Sequence, residues 1–418
     1  MTTSAELPTT LGHSAPNPYC ATGLPRRRLR PPLANCADPT PFYRGGDWAR
    51  SPLRIADPGA LIVALPPMLG FVPQRSLVVA VLRAGLPPGV RPVIDAVARF
   101  DLEPPGGRRA MAAGIAQCLS QICAAEQAEE VLAVVVDDRV AEPGPPGAAH
   151  PRREARAVSH SALIAALDKR LATHEVLLAG AWAVPAIDGG EHWWPLLGGP
   201  DGGILPDPAE SPVALASVLD GRPVHASRTA MTAVLAPDRA LCEQVAAHLG
   251  AALERTRDRY VRAVRHGELD GFHRALLENV LWQIAHTAAG ALPEPPDIAE
   301  LVGALREPVV RGALYALAFT DHAAAAERLW IRMVQALPGP DRADAAALLG
   351  YGAYVRGDGP FAGMALDVAL TADPCHSMAG LLESGLRSGM RPEPLRRVGR
   401  SGHTMAADLG IDLGPLVR

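Results

Sequence analysis

The sequence predicts an α/β domain, built as a mixed sheet with flanking helices, followed by an all-α domain. Two observations predict this arrangement. In the first half, apolar segments of strand length alternate with segments of helical periodicity, and from SPVALASVLDG onward the strand signals disappear. The chain has 418 residues, which exceeds the usual size of a single hydrophobic core, so two domains are expected.

The α/β half opens with the segment RIADPGALIVALPPMLG. Asp57 is predicted to cap a helix whose first residue is Pro58, and Pro66-Pro67 are predicted to end or kink that helix. The apolar run SLVVAVLR and the partly alternating RPVIDAVARFDL are predicted as two strands. The short AGLPPGVRP connection indicates that the two strands are antiparallel.

Helices and strands then alternate. The segment GGRRAMAAGIAQCLSQICAAEQAEE has apolar residues at helical spacing, and VLAVVVDDR is typical of a buried strand that ends in acidic residues. After the predicted helix EARAVSHSALIAALDKRLATH, the strands VLLAGAWAVPAI and EHWWPLL are joined by an Asp188-Gly189-Gly190 turn. The predicted order is β-β-α-β-α-β-β, which is typical of a sheet of mixed direction.

The second half has only helical signals. Helix starts are predicted at Ser211-Pro212, Asp238, Gly271, Asp297, Asp321 and Asp341. Short turns rich in Gly, Pro or Asp separate the predicted helices, as in an all-helical domain.

One segment of this half, ADAAALLGYGAYVRGDGPFAGMALDVALTADPCH, follows the 34-residue tetratricopeptide pattern in part. The matching positions are Leu349, Gly350, Ala362, Leu366, Ala369 and Pro374. Ala346 and Ala353 stand where the pattern usually has Trp and Tyr. One tetratricopeptide-like helix hairpin is therefore predicted, in which Gly350 and Ala362 let the two helices approach closely.

These signals divide the chain into four parts. Residues 1–50, rich in Pro and Arg and without periodicity, are predicted as a disordered extension. Residues 51–234 form the predicted α/β domain, 235–392 the helical domain and 393–418 a C-terminal tail.

Composition narrows the possible functions. With 48% hydrophobic residues and a formal net charge of −4, the chain has no global attraction to nucleic acid or to anionic lipid. Its apolar runs are too short or too proline-broken to span a bilayer, and no apolar signal sequence follows Arg26-Arg27-Arg28. We expect a cytoplasmic protein that has neither a membrane nor a nucleic acid as its partner.

Two residue types argue against whole classes of mechanism. Lys169 is the only lysine, and it lies in ALDKRL without a glycine-rich loop, which argues against P-loop, Schiff-base and Ser-Lys chemistry. The six cysteines form no CxxC motif, so free thiols are expected, and neither a zinc site nor a redox pair is indicated. The sequence indicates no metal and no particular cofactor.

Arg75 and Ser76 stand at the amino end of the first predicted strand of the α/β half. A serine nucleophile needs a base within hydrogen-bond reach and usually a GxSxG elbow, which this chain lacks. Ligands in open α/β sheets bind beyond the carboxyl ends of the strands. The two residues are therefore interpreted as part of a turn or cap, with ligand contact as the alternative.

Two pairs of charged residues lie at predicted strand ends. Asp137 and Asp138 follow the VLAVVV strand, where one of them could hold a divalent metal or act as a base. Adjacent residues on a strand face opposite sides, so at most one of the two is expected in any single site. Arg99 and Asp101 share one face of their strand, either as a structural ion pair or as an anion-reading arginine oriented by a carboxylate.

The remaining candidates are an aromatic cluster and a polar corner. His192, Trp193 and Trp194 adjoin one another on a strand, so one tryptophan could cover the core while the other is exposed. Core packing is the favoured interpretation, and a platform for stacking on a ligand is the alternative. His192 could act as a general base. Ser227 is predicted to cap a helix, with an anion contact by Arg228 as the alternative.

Several stretches, taken in order, are shared with a known family. They are LGFVPQRSLVVAVL, VARFDL, VLAVVVDD, the HWW strand with GGILPDPAESPVA, GRPVHASRTAMTAVLAP and AALLGYGAYVRGDGPFAGMALDVALTADPCHSMAGLLESGL. Over residues 51–392 the chain resembles the actinobacterial proteins grouped as domain of unknown function 4192 (DUF4192). That family has no assigned activity, so the resemblance implies a domain extent but no mechanism.

The chain departs from the family at two places. Members of the family often have a tryptophan where Tyr354 stands, and cysteines after the tryptophan strand, where this chain has LLGGPDGG. A metal or disulfide site built on those cysteines would not transfer to this chain.

Two functions remain open at this point. The first is a small-molecule or protein binding module with a regulatory role, in which a metabolite or nucleotide binds near Arg99, Asp101 and Asp137, close to the tryptophan strand. A protein partner would then contact the helical domain through the predicted hairpin. The residues give no strong catalytic signature, which favours this function.

The second function is enzymatic. A hydrolase or transferase could use Asp137 or Asp138 together with His192 or Ser76. Convergence of these side chains in one cleft would favour the enzyme, and their dispersal would exclude a single catalytic site.

Overall fold

The computed structural model describes residues 40–44, 57–83, 92–102, 108–126, 128–140, 151–197, 202–219 and 222–416. Cys36–Arg418 form one compact unit. None of the described helices is both long enough and apolar enough to cross a membrane. The four cysteines within the described ranges are all free thiols.

Seven strands form one sheet. Their bounds are Thr40–Arg44 (β1), Ser76–Arg83 (β2), Val93–Asp101 (β3), Glu130–Val136 (β4), Leu177–Val184 (β5), His192–Leu197 (β6) and Gly203–Ile204 (β7). The spatial order is β1-β3-β2-β4-β5-β6-β7. β4 and β5 are parallel and the other neighbouring pairs are antiparallel, which confirms the predicted mixed sheet and the predicted antiparallel pairing of β2 with β3.

The described residues also form fourteen α-helices. Three of them accompany the sheet strands in sequence: Pro58–Leu69 (α1), Arg108–Glu126 (α2) and Pro151–Ala172 (α3). The other eleven follow the sheet: Pro212–Leu219 (α4), Arg228–Ala233 (α5), Arg239–His266 (α6), Leu269–Ala288 (α7), Pro295–Arg306 (α8), Pro308–Leu314 (α9), Ala323–Ala336 (α10), Gly339–Val355 (α11), Gly359–Ala372 (α12), Ser377–Arg387 (α13) and Arg396–Asp408 (α14). The predicted order β-β-α-β-α-β-β is confirmed over β2 to β6.

The two faces of the sheet pack into two different cores. Because side chains alternate along a strand, Val78 and Ala80 of β2 contribute to one core while Leu77, Val79 and Val81 contribute to the other. The first core contains α1 and continues without interruption into the helices that follow the sheet. The second core lies beneath α2 and α3. We call these two sides the α1 face and the α3 face.

The helix α1 begins as predicted and ends later than predicted. The side chain of Asp57 accepts a hydrogen bond from the backbone N–H of Ala60 at 2.9 Å, and Pro58 is the first helical residue. Pro66 and Pro67 do not end the helix, which continues to Leu69. Both prolines lie in its last turns and are buried, so core packing there offsets the hydrogen bonds that proline cannot donate.

The helical half is held together by close helix pairs. α11 and α12 follow each other in the chain and pack together, and a Cβ atom added at Gly350 would lie 2.9 Å from the Leu366 side chain, so the small residue permits the close approach. Most of α11 and most of α12 is buried by neighbouring elements. Little of this helix pair is therefore exposed.

Both ends of the described region extend beyond the expected ordered part. β1, within the segment predicted as disordered, pairs antiparallel with β3, because the edge of β3 offers unpaired backbone groups. The other residues of the predicted 1–50 extension lie outside the described ranges. The predicted C-terminal tail contains α14, whose Gly399 and Gly402 are buried against neighbouring helices.

Candidate functional site

The candidate residues on β2, β3 and β4 lie along one border of the sheet, where the strands begin or end. Ser76 at the start of β2 stands opposite Asp101 at the end of β3 and opposite Val136 at the end of β4. Val136 stands beside Val184 at the end of β5, and the backbone N–H of Asp137 extends this ladder with a hydrogen bond to the carbonyl of Val184 at 3.1 Å. The edge therefore collects the carboxyl ends of three strands, where binding groups of α/β proteins concentrate.

The sheet itself divides these candidates into two clusters. Ser76, Arg99 and Asp101 alternate with residues of the α3 face and so lie on the α1 face. Asp137 is one residue beyond Val136 of the α1 face and turns to the α3 face. We call Ser76, Arg99, Asp101 and Arg228 the arginine cluster, and Asp137, Arg139 and His160 the carboxylate cluster.

In the arginine cluster, a buried guanidinium is held in place by three oxygen atoms. Nε of Arg99 donates to Oγ of Ser76 at 2.7 Å, and that hydroxyl donates to the carbonyl of Gln74 at 2.6 Å. Nη2 of Arg99 donates to the Asp101 carboxylate. Arg99 and Ser76 are 6% and 0% exposed, whereas the side chain of Asp101 is about half exposed. The serine is thus an oriented structural partner of the arginine.

Arg228 approaches the same cluster from α5. The segment before α5 runs beside Phe71, with hydrogen bonds between His225 and the backbone of Gly70 and Val72. Ser227 caps α5 as predicted, by accepting the N–H of Ala230 at 3.0 Å.

The positive charge of Arg228 affects the pKa of Arg99. Burial is the main reason that the pKa of Arg99 lies below its usual range, and the nearby positive charge of Arg228 acts in the same direction, against the carboxylate of Asp101. The guanidinium of Arg228 forms no hydrogen bond or ion pair with any described residue.

The carboxylate cluster surrounds one buried acid. Oδ1 of Asp137 accepts hydrogen bonds from Nε and the backbone N–H of Arg139, at 2.6 and 3.1 Å, and Oδ2 accepts from Nη2 of Arg139 at 2.9 Å. Nε2 of His160, on α3, lies 3.2 Å from Oδ2. Burial by itself raises the pKa of Asp137, but the hydrogen bonds from His160 and Arg139 outweigh it and hold that pKa well below its usual range. Arg139 thus balances the charge of the Asp137 carboxylate.

His160 is the residue of this edge that sequence reasoning missed. Asp137 accepts a hydrogen bond from Nε2, so that nitrogen carries a proton. Nδ1 is buried and has no hydrogen-bond partner among the described residues. Only the spacing of His160 from Leu163, Ile164 and Leu167, which places them on the buried side of α3, could have pointed to it.

Asp138 points away from Asp137 and pairs with Arg75. Nε and Nη2 of Arg75 donate to the two carboxylate oxygens of Asp138 at 2.9 and 3.1 Å, and both side chains are more than half exposed. Hydrogen bonding to Arg75 is the main reason that the pKa of Asp138 is lowered. Arg75 has a φ of 45°, in the left-handed region that non-glycine residues seldom adopt. The Arg75-Ser76 pair therefore builds a tight turn into β2, as the sequence indicated.

Both tryptophans of β6 are buried. Trp193 belongs to the core of the α1 face and Trp194 to the core of the α3 face, at 6% and 4% exposure. A Cβ atom on Gly59 or Gly203 would lie 3.2 or 2.9 Å from the Trp193 ring, closer than ordinary van der Waals contact. Neither tryptophan is exposed for stacking on a ligand, because α1, α3 and β7 cover both sides of this strand. His192, in contrast, is exposed.

The sheet keeps two pairs of these candidate residues apart. Ser76 and Asp137 lie on opposite faces of the sheet, so the serine cannot share a proton with that carboxylate. His192 on β6 is four strand spacings from Asp101 on β3, about 19 Å. Among the described residues, no group of three or more His, Cys, Asp or Glu side chains could hold a metal ion.

Comparison with known families gives one result. A family model described as a domain of unknown function, DUF4192, matches residues 58–393. This chain belongs to the DUF4192 family. The match covers most of the chain and agrees closely with the residues over which the resemblance was expected. No curated protein and no solved structure matches the chain.

Membership in DUF4192 explains why the chain shares the sequence stretches quoted above with that family, but it assigns those stretches no role. Both clusters lie inside the matched region, as does the helical half up to residue 393. The description of the DUF4192 family names no activity, so function has to be argued from the two clusters themselves.

Proposed function

We propose that this protein is a regulatory binding module that holds a small anionic molecule at the arginine cluster. The observation that carries the proposal is the guanidinium of Arg228, which pairs with no described residue and lies near the buried guanidinium of Arg99. Two neighbouring cations repel each other, and an anionic group placed between them would remove that repulsion. A phosphate or carboxylate group fits this arrangement, because guanidinium groups bind both by paired hydrogen bonds.

The surroundings of Arg99 support a preformed site. The hydroxyl of Ser76, the carbonyl of Gln74 and the carboxylate of Asp101 fix the guanidinium, so little side-chain entropy would be lost on binding. Arg228 is only partly exposed, which limits the screening of its charge by water and salt. The ligand would approach from the α1 face, beyond the carboxyl end of β3.

The test is a thermal-shift and calorimetric screen with phosphorylated and carboxylated metabolites. We expect at least one anion to raise the melting temperature of the wild-type protein, and Arg228→Gln to abolish that shift. Arg239→Gln is the matched control, because Arg239 is a highly exposed arginine on α6 and should leave the shift intact. Equal shifts in wild type and Arg228→Gln, or no response to any anion, would contradict the proposal.

Two further features belong to the same proposal. The α11–α12 pair is tetratricopeptide-like in its small residues at the contact, and its burial supports a role in organising the helical half rather than in docking. A cytoplasmic location is supported by the free thiols of the described cysteines, which persist in a reducing compartment. Cell fractionation followed by detection of the untagged protein tests the location.

A second candidate function is acid–base catalysis by His160. The observation that favours it is the buried Nδ1 of an imidazole whose Nε2 is held by Asp137, because that Nδ1 has no hydrogen-bond partner among the described residues. A screen with activated esters and phosphate esters, comparing wild type with His160→Gln and with the exposed control His248→Gln, tests it. Turnover lost only in His160→Gln would support catalysis, and turnover that survives this substitution would exclude it.

A further inference from the structure

The helix α4 carries its large apolar residues on the outside. Leu215, Val218 and Leu219 are 60%, 69% and 79% exposed, whereas the buried residues of this helix are Val213 and Ser217. A surface helix normally buries its large apolar side chains and exposes its polar ones, so α4 has the reverse arrangement. We call Leu215, Val218 and Leu219 the α4 stripe.

The α4 stripe lies on one side of its helix. Its second and third members follow the first by three and four residues, the spacing that puts side chains on the same face of a helix. The opposite face packs on α1, where Oγ of Ser217 lies 3.5 Å from the carbonyl oxygen of Pro67. Apart from α1 and the short turn Pro208–Glu210 before α4, no described element packs extensively on this helix. The α4 stripe is therefore a contiguous apolar surface, which is typical of an interaction site.

The part of the chain that contains α4 is acidic. Between Arg170 and Arg222 it has no lysine and no arginine. Arg222 itself, which follows α4, is buried. The same stretch has seven acidic residues: Glu175, Asp188, Glu191, Asp201, Asp207, Glu210 and Asp220. No basic side chain of this stretch balances their charge.

Three of these acids gather at the amino end of α4. Asp207 and Glu210 are exposed in the turn that leads into the helix. Asp188 is exposed in the neighbouring turn, where a Cβ atom on Gly189 would lie 3.4 Å from Cα of Asp207. None of the three carboxylates forms an ion pair with a described residue. We call Asp188, Asp207 and Glu210 the acidic border of the α4 stripe.

The charge and the size of this surface limit what could cover it. The acidic border would repel the phosphates of a nucleic acid or of an anionic lipid surface. Two copies of the chain joined through α4 would place like charges against each other across a twofold axis. An apolar patch of this kind covers only about a few hundred Å², whereas each partner in a stable complex buries about 800 Å². A short segment with positive charge fits the surface better than a permanent dimer does.

We propose that the α4 stripe docks a basic amphipathic helix of a partner protein. The apolar side of that helix packs on Leu215, Val218 and Leu219, and lysine or arginine side chains near one of its ends pair with Asp207 and Glu210. Because the acids lie at one end of α4, they fix the direction in which the partner helix lies. The surface contains no residue of the arginine cluster, so it does not depend on the small-molecule ligand proposed above.

The test measures binding of two fluorescent synthetic peptides to the full chain. Both peptides have leucine at the helical spacing i, i+3, i+4 and i+7, and the other positions are lysine in one and glutamate in the other. We expect the wild-type protein to bind the lysine peptide, and Leu215→Gln/Leu219→Gln to bind it about tenfold more weakly. The matched control is Leu292→Gln/Leu381→Gln, which changes two leucines that are 58% and 61% exposed elsewhere on the molecule. That control should bind the lysine peptide as wild type does.

The acidic border is tested separately. We expect the wild-type protein to bind the lysine peptide about tenfold more tightly than the glutamate peptide, and this preference to decrease at high salt. Glu210→Gln should reduce the preference. Glu254→Gln, which removes the charge of an exposed glutamate on α6, should leave the preference unchanged.

Four results would overturn the proposal. Absence of lysine-peptide binding by the wild-type protein would exclude a basic helix as the occupant. Equal weakening in both leucine variants would place the peptide elsewhere, and equal affinity for the two peptides would show that the acidic border selects nothing. A wild-type dimer in sedimentation velocity that is lost in Leu215→Gln/Leu219→Gln would assign the α4 stripe to a second copy of the chain. Circular dichroism of each variant verifies that the fold is intact.

Discussion

Nε2 of His160 lies 3.2 Å from Oδ2 of Asp137, and both side chains are buried. The contact joins α3 to the end of β4, and Arg139 completes the neutralisation of the same carboxylate. A buried carboxylate with these partners is ionised. The pair therefore fastens a helix to the sheet at the edge where the candidate residues gather.

Replacing Asp137 should destabilise the fold strongly. In Asp137→Asn, the guanidinium of Arg139 and the Nε2–H of His160 lose their ionised acceptor. We expect this loss to lower the free energy of unfolding by about 3 kcal/mol. Urea denaturation followed by circular dichroism measures the change. Asp138→Asn is the control, because water and salt screen the exposed pair with Arg75, so its loss should change the free energy of unfolding little. Similar losses in the two variants would contradict the buried role of Asp137.

Because of the Asp137 carboxylate, the free energy of unfolding should depend on pH in the acidic range. The pKa of Asp137 in the folded protein lies below its value of 3.8 for an unperturbed side chain, so the unfolded state binds its proton first as pH falls. The contribution of Asp137 is thus fully present above about pH 5 and decreases as pH falls through about 4 and below.

The difference between wild type and Asp137→Asn isolates this effect from other acids. We expect that difference in unfolding free energy to be constant between about pH 5 and 7 and to shrink at lower pH. Urea titrations at a series of pH values provide the measurement. A difference that grows on acidification would reverse the sign of the proposed pKa shift.

Local sequence patterns predicted the local features of this fold. The Asp57 cap, the apolar run of β4 and the acidic residues after it depend on neighbours in the chain, and each is present. The candidate residues divide between the two faces of the sheet because side chains alternate along each strand and because the strands pair in a particular order. The alternation can be read from a single segment. The pairing of β2 with β4 joins segments that a helix and a long connection separate, so it could not be read from the sequence.

Features that depend on distant segments were missed or mistaken. His160 is a candidate functional residue only because α3 brings its side chain to Asp137. Trp193 is buried because α1 and β7 cover it, and no property of the HWW segment shows that cover. β1 pairs with β3 although its own segment is rich in Pro and polar residues, since the unpaired edge of β3 provides the missing backbone partners.

Because of the backbone conformation of Arg75, we predict that glycine at this position gives a more stable protein than alanine, the reverse of the usual order. At a φ of 45° an alanine is strained and a glycine is not. Both Arg75→Gly and Arg75→Ala remove the exposed ion pair with Asp138, so their comparison isolates the backbone. We expect Arg75→Gly to be more stable than Arg75→Ala by about 1 kcal/mol in urea denaturation. An alanine variant that is the more stable of the two would show that the turn relaxes to a negative φ.

The contact of α14 with α9 should make one glycine irreplaceable. Alanine is favoured over glycine inside a helix by about 1 kcal/mol, so propensity alone predicts that Gly402→Ala stabilises α14. A Cβ atom at Gly402 would instead lie 2.5 Å from the carbonyl oxygen of Gly312 and 3.1 Å from that of Ala313, both in α9. Because backbone atoms cannot rotate away as a side chain can, we expect a loss of about 2 kcal/mol.

Gly250→Ala is the matched control for this substitution. Gly250 is also inside a helix, α6, and a Cβ atom there would meet nothing within 4 Å. The control should gain up to about 1 kcal/mol from helix propensity, so the two variants should shift the urea midpoint in opposite directions. Stabilisation by both variants would mean that α14 and α9 can separate at little cost, and that the C-terminal helix is only loosely joined to the helical half.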